Sequence, residues 1–165
     1  MKDYENWVQE IAAYRLPRFD ELPKIPLYLD QVLEYVNDIL SGLFNGEEDL
    51  VTRSMINNYV KHKIMPAPIK KRYTDEHVAH IIVISIFKSV LSLPNIAKGI
   101  EIILEDLEPK AGYNVFADFI ESSIQETLDP ILKTEKHIPL KIASKAFAGK
   151  VLIDHYFKSI KKEEI

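Results

Sequence analysis

Residues 52–73 read TRSMINNYVKHKIMPAPIKKRY, and the fold that we predict follows from the order of features in this stretch. It carries six cations and no carboxylate, although the whole chain has 21 Lys and Arg against 25 Asp and Glu. A capped helix comes first, then a proline-rich turn, then three consecutive cations and a tyrosine. Such a helix and cationic loop can place side chains in a DNA groove and cations on the flanking phosphates.

The first half of the stretch predicts a helix of about three turns. Thr52 is a suitable N-cap, and the helix should end near Lys63, before Pro66 and Pro68. Its apolar residues fall on one inner side, which consists of Met55, Ile56, Tyr59 and Val60. Two polar rows remain outside, one of Arg53, Asn57 and Lys61 and the other of Ser54, Asn58 and His62.

Downstream of this stretch the pattern is helical throughout. Thr74 and His77 should cap a helix over VAHIIVISIFKSVL, which is apolar on almost every side and therefore suits the centre of a bundle. A buried strand is the alternative, but the length and the cap favour a helix. Ser92 or Leu93 should open the next helix, with Pro94 at its first position, and Pro109 and Gly112 should break it. Two more helices follow, from about Tyr113 to Leu128 and from Pro139 onward.

Upstream, a first helix should run from Asp3 and end before Pro17. Residues 15–26 contain three prolines and read as an extended connector. Pro26 is expected in the first turn of a second helix, and residues 41–49 form an acidic loop with two glycines. The predicted domains are residues 1–25 (N-terminal helix and arm), 26–108 (DNA-binding domain) and 109–165 (C-terminal helical segment).

Composition limits the class of protein. The 165 residues are 47% apolar and contain no cysteine, which fits a globular protein without disulfides or thiolate zinc sites. The N-terminus does not look like a signal peptide, and no apolar run is long enough for a bilayer, so we expect a cytoplasmic protein. Residues 1–48 carry a net charge of −6, residues 49–75 of +4 and residues 76–165 of −2. A positive region on an acidic body can direct polyanions to one face.

Five features occur in a fixed order between about residues 50 and 104. Thr52 is a small polar cap, Ile56 and Tyr59 follow in the helix, Ile64-Met65-Pro66 forms an apolar exit, and Arg72-Tyr73 precedes Thr74-Asp75-Glu76. Ser92-Leu93 then opens the next helix, with Ile96 three residues on. This order resembles the DNA-binding half of MerR-type transcription regulators, in which a helix-turn-helix is followed by a short wing. The resemblance implies an all-α protein with a MerR-like winged helix-turn-helix and additional N- and C-terminal helices.

Two departures from the MerR pattern stand out. Asn57 occupies the position where the family usually has an arginine, and the wing is reduced to Ala67–Arg72. The chain resembles still more closely an uncharacterised bacterial family known as domain of unknown function number 1836. That resemblance covers the LPRFDELPKIP lead, the MINNYVKH segment and the KKRYTDEH segment, and it implies a fold without an assigned ligand or activity.

The function predicted from this stretch is binding of double-stranded DNA and hence transcription regulation. Asn57 and Asn58 are the expected base readers, because an Asn amide can pair bidentately with adenine. A homodimer is expected, since two-fold proteins on palindromic sites double the area of readout. The predicted DNA-binding residues are Thr52, Arg53, Asn57, Asn58, Tyr59, Lys61, His62, Lys63, Lys70, Lys71, Arg72 and Tyr73, with the two tyrosines mostly packing and offering a hydroxyl to a phosphate.

Other functions have weaker support in the sequence. His77 and His80 could face one metal ion, but they lack a third ligand, and we expect neither a metal nor a cofactor. The carboxylates near residue 105 read as a solvated face, and we expect no enzyme. Two alternatives stay open on the same fold, a protein-interaction module without sequence-specific DNA binding and a sensor of an unknown small-molecule effector.

Overall fold

The computed structural model describes the backbone of residues 2–44, 50–132 and 137–163. These ranges contain helices and a short 3-10 turn at Phe19–Glu21, and the β-pairing in them is limited to isolated bridges. The predicted all-α class is therefore confirmed. The tip of the predicted acidic loop, residues 45–49, lies outside the described residues. The helices are α1 Lys2–Ala13, α2 Leu29–Ser41, α3 Arg53–Lys61, α4 Asp75–Phe87, α5 Leu93–Asp106, α6 Pro109–Leu132 and α7 Ile138–Glu163.

The almost wholly apolar segment forms the central helix, α4, as predicted. It packs against α2 and α5, and α2 also packs against α3. Burial on several sides explains why α4 has no polar face of its own. Its buried residues are His77, Val78, Ala79, Ile81, Ile82, Ile84 and Ser85.

Three predicted caps position the helices of the basic stretch and its neighbours. The Thr52 hydroxyl accepts a hydrogen bond from the Met55 N–H at 3.3 Å, and Ser92 accepts one from the Asn95 N–H at 3.4 Å. At α4, the Thr74 N–H donates to Nδ1 of His77 at 3.0 Å. Each cap satisfies a backbone N–H at a helix terminus, and so fixes where the helix begins.

One expectation about the prolines is wrong, and another is confirmed in part. Pro26 does not enter α2, because the next residue, Leu27, is extended and pairs its backbone with Tyr73. α5 ends at Asp106, so the expected break at Pro109 is present, but α6 begins at Pro109 itself and not near Tyr113, as a proline permits in a first helical turn. Gly112 lies inside α6, and a Cβ there would be only 3.0 Å from Cγ2 of Ile103, so glycine permits this close approach to α5.

The LPRFDE lead is part of the core and does not form a free arm. Leu16, Phe19 and Leu22 are buried with residues of α2 to α6. Arg18 donates to both carboxylate oxygens of Glu121 on α6, at 2.7 and 2.8 Å. The Leu16 N–H donates to the same carboxylate at 2.9 Å, so this lead is held against α6.

The chain divides into two compact units, residues 1–122 and 123–165. The first unit contains the main hydrophobic core and the basic stretch. The second contains the end of α6 and all of α7, with Leu128 and Phe157 buried. The predicted domain limits at residues 25 and 108 do not coincide with this division, because the lead and the first half of α6 share one core with α2 to α5.

Candidate nucleic-acid interface

The C-terminus of α3 is closed by a Schellman motif with a lysine at its left-handed position. The Ile64 N–H donates to the Tyr59 carbonyl at 2.9 Å, and the Lys63 N–H donates to the Val60 carbonyl at 3.0 Å. Lys63 has φ of 55°, where glycine is the usual residue. Ile64 and Tyr59 are both buried, which supplies the apolar contact that accompanies this motif.

Residues 69–72 form a two-residue hairpin, which we call the basic hairpin. Ile69 and Arg72 exchange two backbone hydrogen bonds, at 3.0 and 2.9 Å. The turn residues, Lys70 and Lys71, have φ of 49° and 61°. Positive φ at both central residues is the pattern of a type I′ turn, which normally selects Asn-Gly. The side chains of both lysines are exposed.

Leu27 pairs beside the basic hairpin and makes a minimal three-segment sheet. Its N–H and C=O bond to the C=O and N–H of Tyr73, at 2.8 and 2.9 Å. Successive residues of an extended segment point to opposite faces, so Tyr73 faces the core and Arg72 faces outward. Tyr28 and Ile69 flank Arg72 in the outward row, and both are more than half exposed.

Arg72 is held by Tyr28. Its Cζ atom lies 3.4 Å from the centroid of the Tyr28 ring, and Nη2 donates to the Tyr28 hydroxyl at 2.7 Å. Nη1 donates to the Pro26 carbonyl at 3.3 Å. Tyr28 is absent from the site residues predicted from the sequence, because the pairing of residues 27 and 73 is non-local and leaves no periodic signal.

The two predicted site tyrosines belong to the core. Tyr59 is 2% exposed and its hydroxyl is buried, so the expected free hydroxyl for a phosphate is absent there. Burial raises its pKa, although the neighbouring Ser85 hydroxyl opposes this shift. Tyr73 is 5% exposed and packs edge-on against the His77 ring at 5.7 Å, and burial raises the pKa of Tyr73 as well. These rings position the site without forming its surface.

The remaining predicted residues form the outer surface of α3 and of the segment after it. Thr52 is half-buried as the helix cap. Arg53 pairs with Asp30 of α2, but both side chains are largely exposed and such pairs contribute little. The exposed residues are Arg53, Asn57, Asn58, Lys61, His62, Lys63, Lys70 and Lys71, and Arg72 is partly exposed.

Four lysines of this surface lack a carboxylate partner in the described part of the chain. Lys61, Lys63, Lys70 and Lys71 form no ion pair there. No ion pair within the described residues therefore neutralises their charge. A polyanion would supply the opposite charge.

The histidines near the basic hairpin have structural partners. His77 accepts from the Thr74 N–H through Nδ1, and its Nε2 lies 3.0 Å from the Ala67 carbonyl oxygen. This arrangement ties the proline-rich turn to the first turn of α4. The Nδ1 atom of His80 lies 2.8 Å from the Glu76 carbonyl oxygen. Among the described residues, no group of three or more metal-ligating side chains comes together.

A family model described as "Domain of unknown function (DUF1836)" matches residues 17–116, and the chain belongs to this family. The matched region begins in the LPRFDE lead and ends at Phe116 of α6, so it contains α2 to α5 and the whole basic stretch. No curated protein and no solved structure shows significant similarity to the chain. Each helix in the described ranges is too short or too polar to be a candidate membrane span.

Proposed function

We propose that this protein binds double-stranded DNA through the outer surface of α3 and the basic hairpin, and that it acts as a transcription regulator. α3 is short, capped and exposed on one long side, as a helix entering the major groove has to be. Seven residues separate α3 from the basic hairpin, so the two elements can contact one duplex together. The likeness to MerR-type regulators noted in the sequence supports the same assignment.

The observation that carries this proposal is the backbone conformation of three lysines. Lys63, Lys70 and Lys71 all have φ between 49° and 61°, whereas glycine or asparagine fits such positions with less strain. His137 is the one other described non-glycine residue with positive φ. Cations at three unfavourable backbone positions within nine residues indicate that their charge has a use, since strain of this kind concentrates at functional sites.

Each exposed side chain has a distinct role in the proposal. Asn57 and Asn58 read base edges, because they lie at mid-helix on the outer side of α3 and their amides can pair with adenine. Phosphate contacts come from four lysines, which are Lys61, Lys63, Lys70 and Lys71. Arg53 joins them when its guanidinium leaves the Asp30 carboxylate and binds a DNA phosphate. Arg72 has further N–H donors beyond the two that hold it, and it contacts a phosphate from a fixed position.

Selection of bound sequences from a random duplex library tests this proposal directly. The full chain is immobilised, and bound duplexes are amplified over several rounds and sequenced. We expect a short enriched motif that disappears when Asn57 and Asn58 are both changed to alanine. A library that stays random after selection, with no retained duplex at low salt, would overturn the proposal.

A further inference from the structure

The α7 helix carries a wide apolar surface made of exposed side chains. Phe157 lies on its covered side and is 5% exposed. The residues of the opposite side are mostly four or seven positions apart, so they lie along one half of the helix surface. They are Leu140 (70% exposed), Phe147 (72%), Val151 (49%), Leu152 (72%) and Tyr156 (49%). Contiguous apolar surface of this kind marks an interaction site.

The charges beside this apolar surface are mostly positive. Residues 138–160 contain four lysines and one aspartate. Asp154 is already paired with Lys150 at 2.5 Å. Lys145 and Lys158 lie within the exposed apolar half, because each is seven residues from one of its members, Leu152 and Val151. A partner for α7 therefore has to be both apolar and acidic.

The end of α5 has the complementary character. Ile96 is buried at the start of α5, but the same stripe reaches Ile103 and Leu104, which are 43% and 39% exposed. Residues 98–108 contain four carboxylates and one lysine, and Glu101, Glu105, Asp106 and Glu108 are all exposed. Glu101 is three residues from Leu104, so acidic and apolar groups share one surface.

We propose that α7 of one copy docks on the exposed end of α5 of a second copy, and that the second copy reciprocates. Residues 138–160 have a net charge of +3 and residues 98–108 of −3. The two surfaces therefore attract each other, whereas two α7 surfaces or two α5 surfaces repel each other. A reciprocal exchange closes with two-fold symmetry and leaves neither surface exposed. This dimer does not require DNA binding. If the proposed function also holds, the dimer brings two α3 helices to one duplex.

Charge reversal in solution tests this arrangement without DNA. One variant of the full chain carries Glu101→Lys and Glu105→Lys, and a second carries Lys145→Glu and Lys158→Glu. Sedimentation equilibrium should show that the wild type is dimeric. We expect each variant alone to dissociate with a Kd raised at least about tenfold, because like charges then face each other.

An equimolar mixture of the two variants separates a reciprocal exchange from other arrangements. In the mixed dimer both contacts join opposite charges, so the mixture should regain the wild-type Kd. Leu152→Glu should dissociate the dimer, whereas Glu126→Lys, an exposed control on α6, should not. Circular dichroism confirms the fold of each variant. A monomeric wild type, variants that remain fully dimeric, or a mixture that fails to recover would each overturn the proposal.

Discussion

Lys70 and Lys71 occupy the two central positions of a turn whose geometry suits Asn-Gly. A left-handed conformation costs an ordinary L-residue about 1–2 kcal/mol. The two exposed lysine side chains form no ion pair with the residues that the structure describes, so no such contact offsets this cost. The lysines therefore supply positive charge at the expense of folding stability. A substitution that relieves the backbone strain also removes the charge, so one variant can report both the gain in stability and the loss of DNA affinity.

Lys70→Asn combined with Lys71→Gly should make the protein more stable and weaken its DNA binding. We expect the free energy of unfolding to rise by about 1 kcal/mol, because both residues then suit a type I′ turn. Urea denaturation measures the stability, and fluorescence anisotropy with a labelled duplex measures the affinity. Lys61→Gln is the matched control, since it removes a charge at an ordinary helical position. Equal or lower stability of the double variant would show that the lysines are not strained.

Tyr28 and Arg72 should stabilise each other measurably although both are at the surface. A stacked cation on an exposed aromatic ring contributes about 0.5–1 kcal/mol. A double-mutant cycle with Tyr28→Leu and Arg72→Gln should return a coupling energy of that size, and Tyr28→Phe should retain most of it because the ring stays. A coupling energy near zero would mean that Arg72 does not stay on the ring.

His80 should make the protein less stable in mild acid. Burial lowers the pKa of His80, while the Glu76 carbonyl opposes this effect and the nearby His77 reinforces it. The unfolded chain then binds the proton more tightly than the folded chain. The free energy of unfolding should therefore fall as the pH decreases below about 6.5, and His80 should add no further slope once the pH is below its folded-state pKa.

Urea denaturation of wild type and His80→Gln between pH 7.5 and about 3 separates this effect from that of the carboxylates. Arg18 lowers the pKa of the Glu121 carboxyl group. The stability that this carboxylate contributes is therefore lost only in more acidic solution, below the usual pKa of a glutamate. The difference between the two profiles should lie in the upper part of the range. Parallel profiles across that upper part would contradict the assignment to His80.

The α3 helix combines a buried side with an exposed polar side, and the two sides can be altered separately. Ile56 and Tyr59 hold it on the core, whereas Asn57 and Asn58 are exposed and unnecessary for packing. Asparagine is a mediocre helix former, so two in the middle of a short helix lower its stability slightly. That small cost is consistent with a function for their amides.

Asn57→Ala and Asn58→Ala should each leave the melting temperature unchanged or slightly raised. On the selected DNA site, at least one should lose about 1–3 kcal/mol of binding free energy while binding to random duplex stays the same. Parallel titrations with the two duplexes measure this difference. Equal losses on both would mean that the side chains only position the helix. No loss on either would favour the protein-interaction alternative.

Local signals in the sequence predicted most of the helices, because caps act within one turn. Thr52, Thr74 and Ser92 each cap the expected helix, and the apolar pattern of α4 correctly predicted its central place. Long-range contacts left no such signal. Pro26 stays outside α2 because Leu27 pairs with Tyr73, 46 residues away, and this pairing also brings Tyr28 to Arg72.

The whole chain has a net charge of −4, although residues 49–75 carry a net charge of +4. The acidic remainder should repel DNA, so a duplex should approach the surface of this basic stretch alone. A two-fold dimer would present two such surfaces, and its preferred site would then be a palindrome. A symmetric selected motif would therefore be second, independent evidence for the dimer.

The salt dependence of duplex binding measures the phosphate contacts proposed for the basic hairpin. The affinity of the full chain for a duplex is measured from low to moderate salt, for the wild type and for Lys70→Ala combined with Lys71→Ala. Each lost phosphate contact lowers the slope of log affinity against log salt by about 0.9, so the double variant should lose about two units for each copy bound. Lys110→Ala, outside the basic stretch, should leave the slope unchanged. The same slope in the double variant and the wild type, or no duplex binding at low salt, would contradict the proposed DNA binding through the basic hairpin.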